Sequence, residues 1–113
     1  MAVALRPPPA RGEVHLVQLD PTLGSEIRKT RPCLVVSPDE LNRHLRTVIV
    51  APMTTGGQDY PWRVACRFRQ RAGSVALDQV RTVDGERLIR RLGRLQPETT
   101  RRVLRTLQEM FAE

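Results

Sequence analysis

Arg31, Thr54 and Glu26 are the side chains of this 113-residue chain best suited to work on a phosphodiester. A guanidinium such as Arg31 can hold two non-bridging oxygens at once, and its attraction grows as negative charge builds on them in a pentacovalent transition state. A hydroxyl such as Thr54 can donate one more hydrogen bond to that charge. A carboxylate such as Glu26 can accept the proton of an attacking hydroxyl. Together the three suffice for metal-free scission of RNA, whose own 2′-OH is the nucleophile. Glu26 and Arg31 lie in "GSEIRKTRP", residues 24–32, and Thr54 opens "TTGG", residues 54–57.

Each residue also has a plainer reading. Glu26 can pair with Arg28, Lys29 or Arg31 and merely hold the loop, Thr54 can cap a strand end, and Asp78 with Arg81 can form an internal ion pair. Which of these roles Glu26 plays stays open at this point.

The charge points to an acidic partner. Nineteen basic side chains stand against twelve acidic ones, a net charge of +7, and all the basic residues but Lys29 are arginine, the residue suited to planar contact with phosphate. No apolar run reaches the roughly 20 residues a membrane span needs, and the first residues lack a signal-peptide core, so a cytoplasmic protein is expected. Cys33 and Cys66 each sit in an apolar run, where a thiol serves as a small hydrophobe. There is no CxxC, HExxH, P-loop or GxGxxG, and His15 and His44 have no partner at metal-ligand spacing. No metal and no cofactor are expected.

The elements that must position these residues follow from periodicity. Residues 1–10, with a proline triplet, read as a flexible tail, and residues 11–113 as one domain. Residues 13–19 read as a strand whose apolar phase shifts between Leu16 and Val17, the mark of a bulge or of burial on both sides. "CLVVS" and "TVIVAPM" are continuous apolar, β-branched runs and belong at the centre of a sheet. Trp62, Val64, Cys66 and Phe68 alternate with Arg63, Ala65, Arg67 and Arg69, a half-exposed strand with a cationic outer face. "RQRAG" turns this strand into a fifth, "SVALDQVRTV", which would carry Asp78, Gln79 and Arg81.

Ser37 as a cap with Pro38 at the first turn predicts a short helix to about Arg43. Val103, Leu104, Leu107, Met110 and Phe111 form one stripe of a terminal helix beginning at Gln96 and Pro97. The predicted class is mostly β, a strongly curved antiparallel sheet or partly open barrel with a C-terminal α-helix and one or two short helices.

"RGEVHLVQLDPTLGSEIRKTRPCLVVS", "TVIVAPMTT", "YPWRV" and "LDQVRTVDGERL" followed by "RLGRL" together resemble the MazF/PemK toxins of bacterial toxin–antitoxin systems, from about Arg11 to the terminal helix. The resemblance implies a β-barrel of the SH3-like, CcdB/PemK type. It implies a homodimeric endoribonuclease, an mRNA interferase, that cuts single-stranded RNA at short motifs without metal, leaving a 2′,3′-cyclic phosphate and a 5′-hydroxyl. The family arginine falls on Arg31, its threonine on Thr54 and its acid on Glu26. Ser25, Lys29, Thr55, Asp78, Gln79 and Arg81 are then the expected substrate-binding residues. The Kid-type branch carries a histidine and an arginine where this chain has Ser25 and Ala76, so that branch's proton-transfer scheme does not carry over.

Aromatic residues are scarce, so stacking of RNA bases can come only from Trp62, Tyr60 or arginine planes, and edge contacts from Gln79 and Asp78 are the expected source of specificity. The resemblance also implies an acidic antitoxin that folds along the same basic groove. Two other classes stay open: a gyrase-poisoning toxin of the CcdB type, and a barrel that binds RNA without cutting it.

Overall fold

A computed structural model describes residues 7–56 and 59–113. Its seven strands are β1 (Glu13–Gln18), β2 (Thr30–Val35), β3 (Thr47–Thr54), β4 (Arg63–Phe68), β5 (Arg71–Ala76), β6 (Arg81–Asp84) and β7 (Leu88–Arg94). A short helix α1 (Asp39–His44) joins β2 to β3, and α2 (Pro97–Met110) closes the chain. The strands pair in the order β4-β5-β3-β2-β1-β7, with β6 also on β3, and every pairing is antiparallel. The mostly β class with a terminal helix is the one expected.

β3 is the hub. Its first half, Thr47 to Val50, pairs with β6, and its last two residues, Met53 and Thr54, pair with β5. Pro52 falls where β3 changes partner. A proline cannot donate to a ladder and is excluded from most central strands; here its missing N–H coincides with a gap in the pairing. The chain fills that gap with a 3-10 turn over Leu77–Gln79. The fifth strand therefore ends at Ala76, and Asp78 and Gln79 stand on a turn between two strands, not on the continuous strand expected.

Two apolar clusters flank the sheet. Val14, Leu34, Ala51 and Met53 belong to one, with Val75, Leu77, Leu95 and Val103; Val17, Cys33, Val35, Val48 and Val50 belong to the other. Alternate residues of β2 and β3 serve opposite clusters, as period-two geometry requires. Each fully buried Val or Leu contributes roughly 1.5–3 kcal/mol. β1 supplies Val14 to one cluster and Val17 to the other. Residues three apart in a strand point to opposite faces, and the pairing of β1 with β7 also slips twice, between Val14 and His15 and between Leu16 and Val17. The phase shift in the sequence is thus both a bulge and two-sided burial.

β4 and β5 form a hairpin whose two loop residues, Arg69 and Gln70, both have left-handed backbone, φ 50° and 67°. That is the twist-matched turn of a tight hairpin, built here without glycine. Gly73 is required for a different reason. A Cβ there would lie 2.2 Å from the Thr54 carbonyl oxygen, so only glycine lets β5 approach the end of β3.

Some local details differ from the expectations. Pro38 is the cap residue of α1 and makes no side-chain cap bond; the Ser37 hydroxyl is instead 2.5 Å from Asn42 Oδ1 and accepts the Ile49 N–H. β7 was not foreseen as a strand. On the apolar stripe of α2, expected to pack on the sheet or on a partner, Val103 is fully buried while Met110 and Phe111 are 39% and 75% exposed. The first six residues of the expected tail, and Gly57 of "TTGG", lie outside the described residues, whereas Pro9 is buried and Ala10 donates its N–H to Glu13 Oε1 at 2.8 Å.

Candidate active site

The strands β2 and β3 lie side by side, Cys33 opposite Pro52, which brings the start of one to the end of the other. Arg31 and Thr54 consequently line one cavity of about 350 Å³. Thr55, Cys66, Arg69 and Arg71 complete its polar wall, and Met53, Phe68 and Leu92 its apolar one.

Among the described residues Arg31 is braced at one edge: its Nε donates to the Arg28 carbonyl at 3.2 Å. Among the described residues no carboxylate forms an ion pair with Arg31, Arg69 or Arg71. Three uncompensated guanidinium groups around one cavity make it a receptor for anions. The Thr54 hydroxyl lies 3.2 Å from the Ser74 hydroxyl of β5, across the two-residue pairing of those strands. The same hydroxyl donates to the Gly56 carbonyl at a long 3.5 Å, so where it accepts from Ser74 an anion in the cavity competes only with that weak contact for its proton.

The remaining expected residues gather in a neighbouring groove of about 390 Å³, lined by Glu26, Ile27, Pro52, Asp78, Gln79 and Arg81. Glu26 pairs with none of the nearby cations; one carboxylate oxygen accepts the Leu23 N–H at 2.6 Å. Gln79 accepts the Ile27 N–H at 3.1 Å and so ties the Leu77–Gln79 turn to the β1–β2 loop. Arg81 donates to the Leu19 carbonyl at 3.1 Å and is not the partner of Asp78. That partner is Arg63, in a two-pronged pair of 2.6 and 2.7 Å. The hydrogen bonds from Arg63 hold the Asp78 carboxyl below the usual aspartate range. Ser25 and Lys29 are exposed on the loop, Lys29 with left-handed backbone at φ 70°.

The expected residues thus divide into two neighbouring sets, Arg31, Thr54 and Thr55 in the cavity and Glu26, Asp78, Gln79 and Arg81 in the groove. Four residues were missed. Arg69 and Arg71 face the cavity from the hairpin, and Ser74 supports Thr54. Arg63 turns toward Asp78 although alternation assigned it to the cationic outer face. No local signal marks Ser74, since a serine in a strand is unremarkable until its cross-strand neighbour is known.

Of the remaining histidines and cysteines, only Cys66 lines the cavity. His15 is buried beside Glu13, 3.1 Å from its Oε1, and His44 contacts the Glu40 carbonyl. Burial pushes the Cys33 thiol up to about 12, and it raises that of Cys66 as well. Both thiols are free. Among the described residues no three His, Cys, Asp or Glu side chains converge on a metal position.

Comparison with known proteins places this geometry in context. Residues 10–111 match the family described as PemK-like, MazF-like toxin of type II toxin–antitoxin system. The Escherichia coli endoribonuclease PemK is 45% identical over 71 residues, 62% of this chain and 47% of that protein, so the chain spans about half the length of this relative. Endoribonuclease EndoA of Bacillus subtilis is 36% identical over 108 residues, 90% of this chain and 93% of the relative. MazF of Deinococcus radiodurans, 24% identical, shares the fold with a TM-score of 0.81 over 91% of this chain and 96% of that one. A mycobacterial endoribonuclease solved in complex with its cognate antitoxin is 27% identical, with a TM-score of 0.75 over 89% of this chain and 92% of that one.

Proposed function

The chain belongs to the family of PemK-like, MazF-like toxins of type II toxin–antitoxin systems, and from that premise we propose that it is a sequence-specific endoribonuclease acting on single-stranded RNA. The observation that carries the proposal is the meeting of Arg31 and Thr54, from two different strands, in one cavity with no acidic wall.

In this reading the scissile phosphate sits in that cavity. The 2′-OH of the upstream ribose attacks phosphorus, and the P–O5′ bond breaks. The products are a 2′,3′-cyclic phosphate and a 5′-hydroxyl, the 2′-OH proton being lost and the leaving O5′ gaining one. Arg31 and Thr54 hold the non-bridging oxygens, and their hydrogen bonds strengthen as charge accumulates there. Arg31 needs no desolvated counter-ion to be displaced first. Glu26 is the proposed proton acceptor; it stands in the neighbouring groove with one oxygen engaged by Leu23, so the second oxygen is the one available to substrate. Ser25, Lys29, Thr55, Asp78, Gln79 and Arg81 are proposed to hold the strand on either side of the cut. The reaction needs no metal in this scheme.

We further propose that the active form is a homodimer in the cytoplasm, and that its antagonist is an acidic antitoxin segment that takes the place of RNA on the arginine-rich surface. The test is direct. Purified protein is incubated in EDTA with a long mixed-sequence RNA and with single-stranded DNA of the same sequence. Cleavage of the RNA alone, with cyclic phosphate ends, is the expected result. Intact RNA would overturn the proposal in favour of a non-cutting binder or a gyrase poison.

A further inference from the structure

Trp62 directly precedes β4, and its carbonyl accepts the Leu77 N–H at 3.0 Å. Trp62 is thereby tied to the Leu77–Gln79 turn, whose Asp78 and Gln79 line the groove. Tyr60 and Trp62 stack there in parallel, with ring centroids 5.0 Å apart and planes 8° apart. Both remain open to solvent, 39% and 37% exposed. Arg63 lies over the Tyr60 ring at 6.0 Å while its guanidinium grips Asp78 through two hydrogen bonds.

A hydrophobic core does not explain this arrangement, because neither ring belongs to the two apolar clusters. Two flat apolar surfaces are held in place and wet beside the turn that carries Asp78 and Gln79, on a strongly cationic protein. A single-stranded nucleic acid offers the complementary chemistry, flat bases with anionic phosphates on either side, and base stacking on an aromatic ring is largely indifferent to base identity. Rigidity matters because a ring already fixed by its neighbours loses little freedom on binding.

We propose that Trp62, backed by Tyr60 and positioned by the Arg63–Asp78 pair, is the stacking platform for one nucleobase of the bound RNA. This rests on the endoribonuclease reading and adds a subsite to it. Arg63 acts here as a positioning residue: it touches no reacting atom, and it fixes the turn that carries Gln79 relative to the aromatic stack.

Trp62 is the only tryptophan in the chain, so its emission reports the event directly. The probe is an oligoribonucleotide centred on a cleaved bond mapped by transcript-end sequencing, with one 2′-deoxynucleotide at that bond to prevent cutting. Titration should quench Trp62 emission. Replacing one particular base by an abasic position should abolish the quench and weaken binding roughly 10-fold or more, while the same change costs Trp62→Ala little. Trp62→Phe should bind within about 3-fold of the native protein. Arg63→Lys, which keeps the charge but loses the two-pronged grip, should widen the set of cleaved sequences while the protein stays folded at the assay temperature. Unchanged emission on binding, with no abasic position that separates native protein from Trp62→Ala, would overturn the platform and leave the nuclease reading intact. A native protein that neither cuts nor binds RNA would overturn the nuclease reading and the platform with it.

Discussion

The hydroxyls of Thr54 and Ser74 stand 3.2 Å apart across the short pairing of β3 with β5. Ser74 thereby orients the group proposed to donate to the scissile phosphate. Thr54→Val should lower kcat by about 100-fold, the usual cost of one oxyanion donor. Ser74→Ala should cost less, about 10-fold, with KM nearly unchanged. Steady-state cleavage of a fluorogenic RNA measures both, and a Ser74→Ala enzyme at native kcat would show that Thr54 needs no support.

Arg31→Ala should reduce kcat by about 1,000-fold while affinity for an uncleavable RNA falls only a few-fold, since the proposed contact strengthens as charge develops. Single-turnover rates beside fluorescence anisotropy separate the two quantities. Equal losses in both would reduce Arg31 to a phosphate anchor.

Gly73→Ala drives a methyl group against the Thr54 carbonyl oxygen. Because backbone stands on both sides, the pairing of β3 with β5 must open. A destabilisation of about 2 kcal/mol or more is expected, and with it a fall in Tm on the order of 10 °C. Calorimetric unfolding gives the answer; a native Tm would mean that the strands separate without cost.

The pH dependence of stability should carry two separable contributions. The Cys33 thiol ionises near 9.0 when exposed and near 12 when folded, so between those values the unfolded chain binds fewer protons and stability falls as pH rises. Its share is at most about 1.4 kcal/mol per pH unit. Asp78 has the opposite sign. Its folded carboxyl sits below the ordinary 3.8, so its stabilisation is present above that value and is lost as pH falls through the lowered one. Urea unfolding across pH should therefore show a shallower alkaline slope for Cys33→Ala and a shallower acid slope for Asp78→Asn. Slopes identical to those of the native protein would deny burial of the first and pairing of the second.

Binding of the proposed acidic antitoxin segment should weaken as salt rises, because the protein carries a net charge of +7. Isothermal titration at several sodium chloride concentrations measures the trend. Salt-independent affinity would indicate an interface built on apolar side chains.

Strands β2 and β3 are legible in the sequence because their residues are apolar and β-branched on both faces, a pattern that only a central position satisfies. Arg31 and Thr54 are legible with them, being the polar residues at adjoining ends of two such strands. β7 is not. Its run "LIRRLGR" has no period-two alternation, and it becomes a strand through pairing with β1, which slips twice along its length. The turn carrying Asp78 and Gln79 is hidden inside "SVALDQVRTV", whose β propensity is unbroken. What interrupts it is the change of partner along β3 at Pro52, a relationship between distant segments. Arg63 is obscured for a similar reason: alternation assigns it an outward face, whereas its partner Asp78 lies fifteen residues away.

β1 feeds Val14 into one apolar cluster and Val17 into the other. Six residues thus act as a dowel through two half-cores, each too small to persist alone. Melting one side removes the seat of the other, so the molecule should come apart in a single step, with no half-folded species in which the cavity survives without the groove.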